Sequence, residues 1–349
     1  MDACVVGTGL VGASIAIALT TAGHQVYLRD QVPAHAQVAA SLGGGSTAQP
    51  DPDRVQLCVV AVPPAAIAAV VAEALSRYPQ AVVTDVGSVK GSVLRQLQQS
   101  GTDLHRYLGS HPMAGSQHAG PLTARGDLFQ DRTWVLCPHP QTSPDAVAQV
   151  ERLALTCGAR CVTLDPDAHD VAVAQVSHLP QLMSTLTAAR LLHVPAQHLR
   201  LAGQGIRDVT RIAGSDPDLW RQIVTANAAA LRPELAAVHQ QLGELLRVLD
   251  DPDQVRRVLA QGQEGTRALP GKHGQAPAAY AQVVVEIPDT PGALARLFSQ
   301  IGAAGVNVED LTIEHDEARE VGFLAVSVAP HQAAQLEQAM REAGWVLRP

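Results

Sequence analysis

Aromatic side chains are scarce in this chain: three Trp, four Tyr and three Phe among 349 residues. Its cores must therefore be built from Ala, Val, Leu and Ile, which the 46% apolar share supplies in quantity. Positive charge is short as well. The formal net charge of −8 removes the basic footprint that a nucleic-acid partner would require. Five cysteines is an odd number, and none of them falls at metal-ligand spacing. Cys157 and Cys161 stand as a C-x3-C pair without a second pair or a histidine cluster, so reduced thiols and no metal site are expected. No apolar run of membrane length survives intact. Leu57 to Leu75 is long enough, but Pro63-Pro64 breaks it into a strand and a helix. A strand-like run begins at once, with no signal-peptide pattern before it. These absences point to a cytoplasmic protein with neither a nucleic-acid nor a membrane partner.

A chain this long suits two or three domains. Over roughly the first 160 residues, short apolar runs alternate with alanine-rich helical segments. The runs are Ala3–Val6, Gln25–Leu28, Leu57–Val62, Val82–Asp85, Leu104–Leu108 and Thr133–Cys137. That alternation predicts a mostly parallel, doubly wound α/β sheet. From Asp167 to about Leu259 the pattern is helical, with segments around Val171–Leu192, Ala196–Ile212 and Trp220–Leu249. Ser215 or Asp216 is placed to cap a helix that starts at Pro217. Gln261 to Pro277, rich in Gly, Gln and Pro, reads as a linker. A βαββα pattern of about 70 residues closes the chain. The expected domains are 1–162, 163–262 and 279–349, with 263–278 as the linker.

Gly7-Thr8-Gly9-Leu10-Val11-Gly12 fits G-x-G-x-x-G between a strand and a helix, the dinucleotide-binding context of a Rossmann-type sheet. Gly7 permits the turn, Gly9 lets backbone approach a pyrophosphate, and Gly12 lets helix pack on strand. The free N–H groups of the first helical turn, at Leu10 and Val11, face the phosphate charge. Asp30 ends the second strand eighteen residues after Gly12. A carboxylate there receives a ribose 2′-OH and repels a 2′-phosphate, which favours NAD; Arg29 beside it keeps NADP as the alternative. Val62-Pro63 closes a later strand and either flanks a cofactor ribose or only stops the strand.

Two polar segments follow later strands: Asp85-Val86-Gly87-Ser88-Val89-Lys90-Gly91 and Gly109-Ser110-His111-Pro112-Met113-Ala114-Gly115. Both are expected as loops at the carboxyl edge of the sheet. A histidine's unperturbed pKa lies near neutrality, so His111 suits general-base work beside a nicotinamide. Ser88 could orient His111 or a substrate oxygen, or merely cap a helix. Lys90 reads either as a ligand contact or as a solvated surface lysine. The helical region adds Ser177-His178-Leu179-Pro180-Gln181 and Arg207 to Arg211, where proline kinks a helix and arginine suits a carboxylate.

The strings GTGLVG, DVGSVKG, GSHPMAG, SHLP and RDVTRIAGSDPDLW, in this order, resemble the prephenate dehydrogenase family of tyrosine biosynthesis. The resemblance implies NAD-dependent oxidative decarboxylation of prephenate to 4-hydroxyphenylpyruvate, and an all-α dimerisation domain after the sheet. It casts His111 as acceptor of the ring-hydroxyl proton and Ser88 as its orienting partner. Arg211 becomes the anchor of a substrate carboxylate, with His178 and Trp220 in or near the pocket. Two positions depart from the pattern: Gln181 stands where many members carry a second histidine, and Gln117 where many carry an acid. They bear on the finer substrate contacts and on the choice between prephenate and arogenate, of which prephenate is preferred. A non-catalytic NAD or amino-acid sensor is the alternative of another class. Residues 280–349 resemble an ACT domain, a small α+β (ferredoxin-like) regulatory fold. That likeness implies an effector niche at Asp289, Pro291, Gly292 and Asn307, with tyrosine as effector and a homodimer.

Overall fold

A computed structural model of the chain describes residues 1–114, 120–269, 280–288, 290–316 and 321–348. Its elements run in order β1 (Asp2–Val6), α1 (Leu10–Thr21), β2 (Gln25–Arg29), α2 (Pro33–Ser41), β3 (Val55–Val60), α3 (Pro64–Arg77), β4 (Val82–Asp85), α4 (Gly91–Gln99), β5 (Tyr107–Pro112), β6 (Thr133–Cys137), α5 (Pro144–Thr156) and β7 (Arg160–Thr163). The seven strands form one sheet of order β2-β1-β3-β4-β5-β6-β7, parallel throughout except where β6 runs antiparallel to β5. Alternate residues feed two apolar layers. Ala3, Val5, Leu57 and Val59 join the cluster holding α1 and α5, while Cys4, Cys58 and Val60 join that of α3 and α4. Burial on both faces explains why these strands read as unbroken apolar runs.

The first correction to the sequence reading concerns β5. The expected strand Leu104–Leu108 and glycine-bounded loop are instead a strand at Tyr107–Pro112, with His111 paired to Val135. Gly109 is there for space: a Cβ would come 3.1 Å from both Lys90 Cδ and Tyr107 Oη. The short edge strand β7 carried no alternation and was not anticipated.

Helices follow: α6 (Pro166–Val173), α7 (Leu179–Arg190), α8 (Ala196–Leu199), α9 (Gln204–Thr210), α10 (Pro217–Ala226), α11 (Ala228–Val248) and α12 (Pro252–Arg267). Asp165 caps α6 through Ala168 N, and Asp216 caps α10 through Asp218 N. Between α6 and α7, Ala174–His178 form a π-helical turn. Pro180, without an N–H, sits just beyond it, so the expected kink takes the form of a widened turn. The single helix expected over Trp220–Leu249 is broken at Asn227, and α12 extends to Arg267, into the expected linker.

The chain divides into two compact units, Met1–Leu246 and Arg247–Pro349. The second contains α12, β8 (Ala281–Pro288), α13 (Ala293–Ala303), β9 (Val308–Asp316), β10 (Val321–Val328), α14 (Pro330–Glu342) and β11 (Val346–Arg348). Its strands form an antiparallel sheet of order β11-β8-β10-β9, a βαββαβ arrangement of ferredoxin-like type. Val283, Val285, Leu297, Leu324, Val326, Leu336 and Met340 make its core. Among the described residues no helix is long and apolar enough to cross a membrane.

Beneath the carboxyl edge of the large sheet lies a buried ion pair. Lys90 is 1% exposed, and its ammonium donates to Asp85 Oδ1 and, at 2.7 Å, to Ser110 O. Tyr107 donates to Asp85 Oδ2 at 2.7 Å. Burial, and then the Asp85 carboxylate, push that phenol well above its usual range, so it remains the donor. Neither sequence reading of Lys90 survives: it is a strut joining β4, α4 and β5. Lys90→Met leaves the buried Asp85 carboxyl group short of its ionic partner. It is expected to cost about 3–5 kcal/mol, measured as a fall in unfolding free energy by denaturant titration.

Candidate active site

The glycine loop is closed where protein must pack and open where a ligand would lie. Gly7 has φ +91°, and a Cβ on it would meet Ala61 O at 2.4 Å. One on Gly12 would meet Gly7 O at 1.9 Å, whereas Gly9 has nothing within 4 Å. α1 begins at Leu10 with no side-chain cap, so the N–H groups of its first turn are available to an anion. The loop is held from below by Asp30, whose Oδ2 accepts from Thr8 N at 2.7 Å and Thr8 Oγ1 at 2.9 Å. Asp30 is therefore a clamp on the glycine turn as well as the acidic residue at the end of β2, a second task the sequence did not disclose. Val62 and Pro63 lie at the β3–α3 junction. Next to them Ala65 N donates to Gln222 Oε1 of α10 at 3.1 Å, which brings the helix of Trp220 to this edge.

His111, half-buried near the end of β5, is the start of a hydrogen-bonded chain. Its Nδ1 lies 2.9 Å from His169 Nε2, and His169 Nδ1 lies 2.9 Å from Asp170 Oδ1. The carboxylate of Asp170 also accepts from Lys90 N (2.8 Å) and Gly91 N (2.9 Å). α4 has no cap of its own, so a carboxylate from α6 caps it from across the fold. A Cβ on Gly91 would sit 2.9 Å from Asp170 Oδ2, which is why glycine stands there.

The charges fix the tautomers. A carboxylate only accepts, so His169 carries its proton on Nδ1 and offers a bare Nε2. His111 must then donate from Nδ1, which leaves the lone pair of its own Nε2 free. That atom makes no hydrogen bond among the described residues. Burial, then the positive potentials of His169, Lys90 and His178, hold His111 well below the usual histidine range. At neutral pH it is an uncharged base.

The other expected residues fall out unevenly. Ser88 lies in the turn between β4 and α4 and makes no hydrogen bond to His111, whose partner among the described residues is His169. His178 is 1% exposed, edge-on to Trp220 at 5.9 Å, with Nδ1 facing Asn227 Nδ2 at 3.1 Å. Burial pushes it down to about 4. Gln181, also buried, donates from Nε2 to Ile212 O at 2.9 Å, and Ser184 Oγ accepts from Ala213 N at 3.2 Å. Its amide nitrogen thus serves as a strut under the turn Arg211–Gly214 that presents Arg211. Gln117 and Asp289 lie outside the described residues. In the second unit Gly292, with φ +86°, begins α13 next to Pro291, and Asn307 donates to Glu309 Oε1 at 2.6 Å. His169, Asp170 and Asn227 were not singled out from the sequence; the string Asp167-Ala168-His169-Asp170 resembles an ordinary polar helix start.

Fold, glycine cradle and histidine base define an NAD-dependent dehydrogenase. The family models agree: residues 15–163 match "Prephenate dehydrogenase, nucleotide-binding domain" and residues 165–261 match "Prephenate dehydrogenase, dimerization domain". The Streptomyces niveus protein named "Probable prephenate dehydrogenase NovF" is 36% identical over 98% of both chains. Among solved structures, prephenate dehydrogenase from A. aeolicus, in complex with hydroxyphenyl propionate and NAD+, is 26% identical with a TM-score of 0.67, over 76% of this chain and 96% of that one. Arogenate dehydrogenase from Synechocystis is 27% identical with a TM-score of 0.65, over 76% and 99%. The chain belongs to the prephenate dehydrogenase family.

The cradle can be tested by two glycines of opposite kind. Gly12→Ala drives a methyl into Gly7 O and is expected to lower thermal stability and abolish NAD binding together. Gly9→Ala meets no protein atom, so it should keep the melting temperature while NAD affinity, read by calorimetry, falls at least tenfold.

Proposed function

We propose that the chain oxidises prephenate with NAD to 4-hydroxyphenylpyruvate and carbon dioxide. The observation that carries this reading is the bare Nε2 of His111, fixed by the Asp170–His169 chain at the edge where the glycine cradle opens. The glycine turn of Gly7, Gly9 and Gly12 with the first N–H groups of α1 would hold NAD, which would supply the hydride acceptor for the ring carbon that bears the hydroxyl. His111 Nε2 takes the hydroxyl proton in the same step, and its Nδ1–H stays on His169, whose carboxylate partner stabilises the imidazolium formed. Loss of the ring carboxylate as carbon dioxide then leaves an aromatic ring. Arg211, by its planar fork, is assigned to a substrate carboxylate. His178 and Trp220 are assigned to the substrate pocket, and Ser88, in the turn between β4 and α4, to its cofactor side.

Prephenate is favoured over arogenate by the state of the local acids. Arogenate carries an ammonium where prephenate carries a keto oxygen. The two buried carboxylates near His111, Asp85 and Asp170, are both consumed: one by Lys90 and Tyr107, the other by two backbone N–H groups and His169. Arogenate dehydrogenase is the second reading. A homodimer through the helical region is part of the proposal, supported by Val176, Leu192 and Leu201, which are 67%, 85% and 84% exposed. The ferredoxin-like unit is proposed as an ACT-type module that binds tyrosine; tyrosine that neither binds nor inhibits would leave it a plain assembly module.

The deciding assay follows nicotinamide reduction with NAD and either prephenate or arogenate. Reduction with arogenate alone reverses the substrate choice, and silence with both leaves a sensor. His111→Asn is expected to lower kcat roughly 10²–10⁴-fold with NAD affinity unchanged. Because His111 must be neutral and its pKa is depressed, activity persists below pH 6.5 and disappears only as pH falls through the lowered value. An acid limb of kcat/KM centred above pH 6.5 would contradict this.

A further inference from the structure

Asn227 fills the break between α10 and α11, is 3% exposed, and turns its side chain inward between two acceptors. Nδ2 lies 2.8 Å from the backbone carbonyl oxygen of Asp170 and 3.1 Å from His178 Nδ1. The amide has two orientations in principle, but a carbonyl oxygen can only accept, so the atom facing Asp170 O is the nitrogen. Its second N–H then points at His178 Nδ1, which must be bare. The ring's one proton therefore sits on Nε2. That atom makes no hydrogen bond among the described residues, which leaves its proton uncommitted. The groups around the ring are Asn227, Asp170, His169 and the Trp220 edge. Asp170 has its carboxylate hydrogen-bonded elsewhere; its charge raises the His178 pKa against the larger effect of burial, and its main-chain carbonyl reaches the ring through Asn227.

We propose that Asn227 is a positioning residue that locks His178 as a neutral Nε2–H donor, the tautomer opposite to that of His111. One histidine then accepts a proton from a ligand hydroxyl while the other donates a hydrogen bond to a ligand oxygen, a carbonyl or carboxylate. Both assignments converge on one residue: Asp170 sets His111 through its carboxylate and His169, and sets His178 through its backbone carbonyl and Asn227. The proposal rests on the reading of this pocket as the prephenate site for the identity of the ligand oxygen, but not for the tautomer.

Neutron diffraction from deuterated crystals of the full chain at pH 8 reads the tautomer directly. Deuterium is expected on His178 Nε2 and absent from Nδ1; deuterium on Nδ1 overturns the proposal. Asn227→Ala frees Nδ1, so the ring divides between tautomers. The KM for prephenate is then expected to rise about tenfold, the effect of one hydrogen bond, with the KM for NAD unchanged. An unchanged KM for prephenate, or an equal rise in both constants, overturns the donor role. If the variant fails to fold, the diffraction result on the unaltered chain decides. A chain inactive on prephenate and arogenate sinks the proposed function while the deuterium positions still judge the tautomer.

Discussion

The carboxylate of Asp170 is the point at which the helical region is fastened to the sheet. It sits at the start of the helical region and receives the first N–H groups of α4, a helix that has no cap from its own sequence. Hydrogen bonds to a charged acceptor contribute roughly 1.5–3 kcal/mol each, and the positive end of α4 adds to them. The same oxygen that fastens Lys90 N also orients His169, and through it His111. Docking of the two layers and preparation of the base are thus one event. A misplaced α6 would leave α4 uncapped and His111 without a defined tautomer.

Below this joint the ion pair of Lys90 and Asp85 has a related double effect. It ties three elements of the sheet layer together, and its ammonium adds positive potential at His111. Lys90 contributes its backbone to Asp170 and its side chain to Asp85, so the two buried carboxylates are held by one residue. The glycines follow from this crowding. Gly91 leaves room for Asp170, and Gly109 leaves room for Lys90 and Tyr107. Neither is a flexible hinge.

Much of this was legible in the sequence where a steric or periodic rule has a single solution. The apolar runs located β1, β3, β4 and β6 because those strands are buried on both faces, and β2 with them although only Val26 and Leu28 of it are buried. The glycine fingerprint was legible because Gly7 and Gly12 admit no Cβ. β5 was displaced in the sequence reading because Gly109-Ser110-His111-Pro112 has the composition of a turn. Only the buried partners of those residues (Lys90, Thr84 and the strand β6) make a strand of it. The break at Asn227 has no glycine or proline to announce it. The helix ends there because an amide is needed inside, between Asp170 and His178. His169 and Asp170 were missed for the same reason: their partners lie 58 and 80 residues away, and no local pattern encodes such a distance.

A histidine base depressed by burial and by positive neighbours is a weaker base than a free one, which looks like a poor choice for removing a hydroxyl proton. The proposed reaction resolves the difficulty. Release of carbon dioxide and formation of an aromatic ring supply the driving force, so basicity is not what the step lacks. What it needs is a ring that is uncharged when the substrate arrives, with its lone pair on a defined nitrogen, because proton and hydride leave together and both must be aligned. Depressing the pKa secures the first condition, and the Asp170–His169 chain secures the second. After the proton has moved, the imidazolium is no longer an isolated buried cation. It is joined through His169 to the carboxylate of Asp170, so the charge is stabilised by a partner already in position.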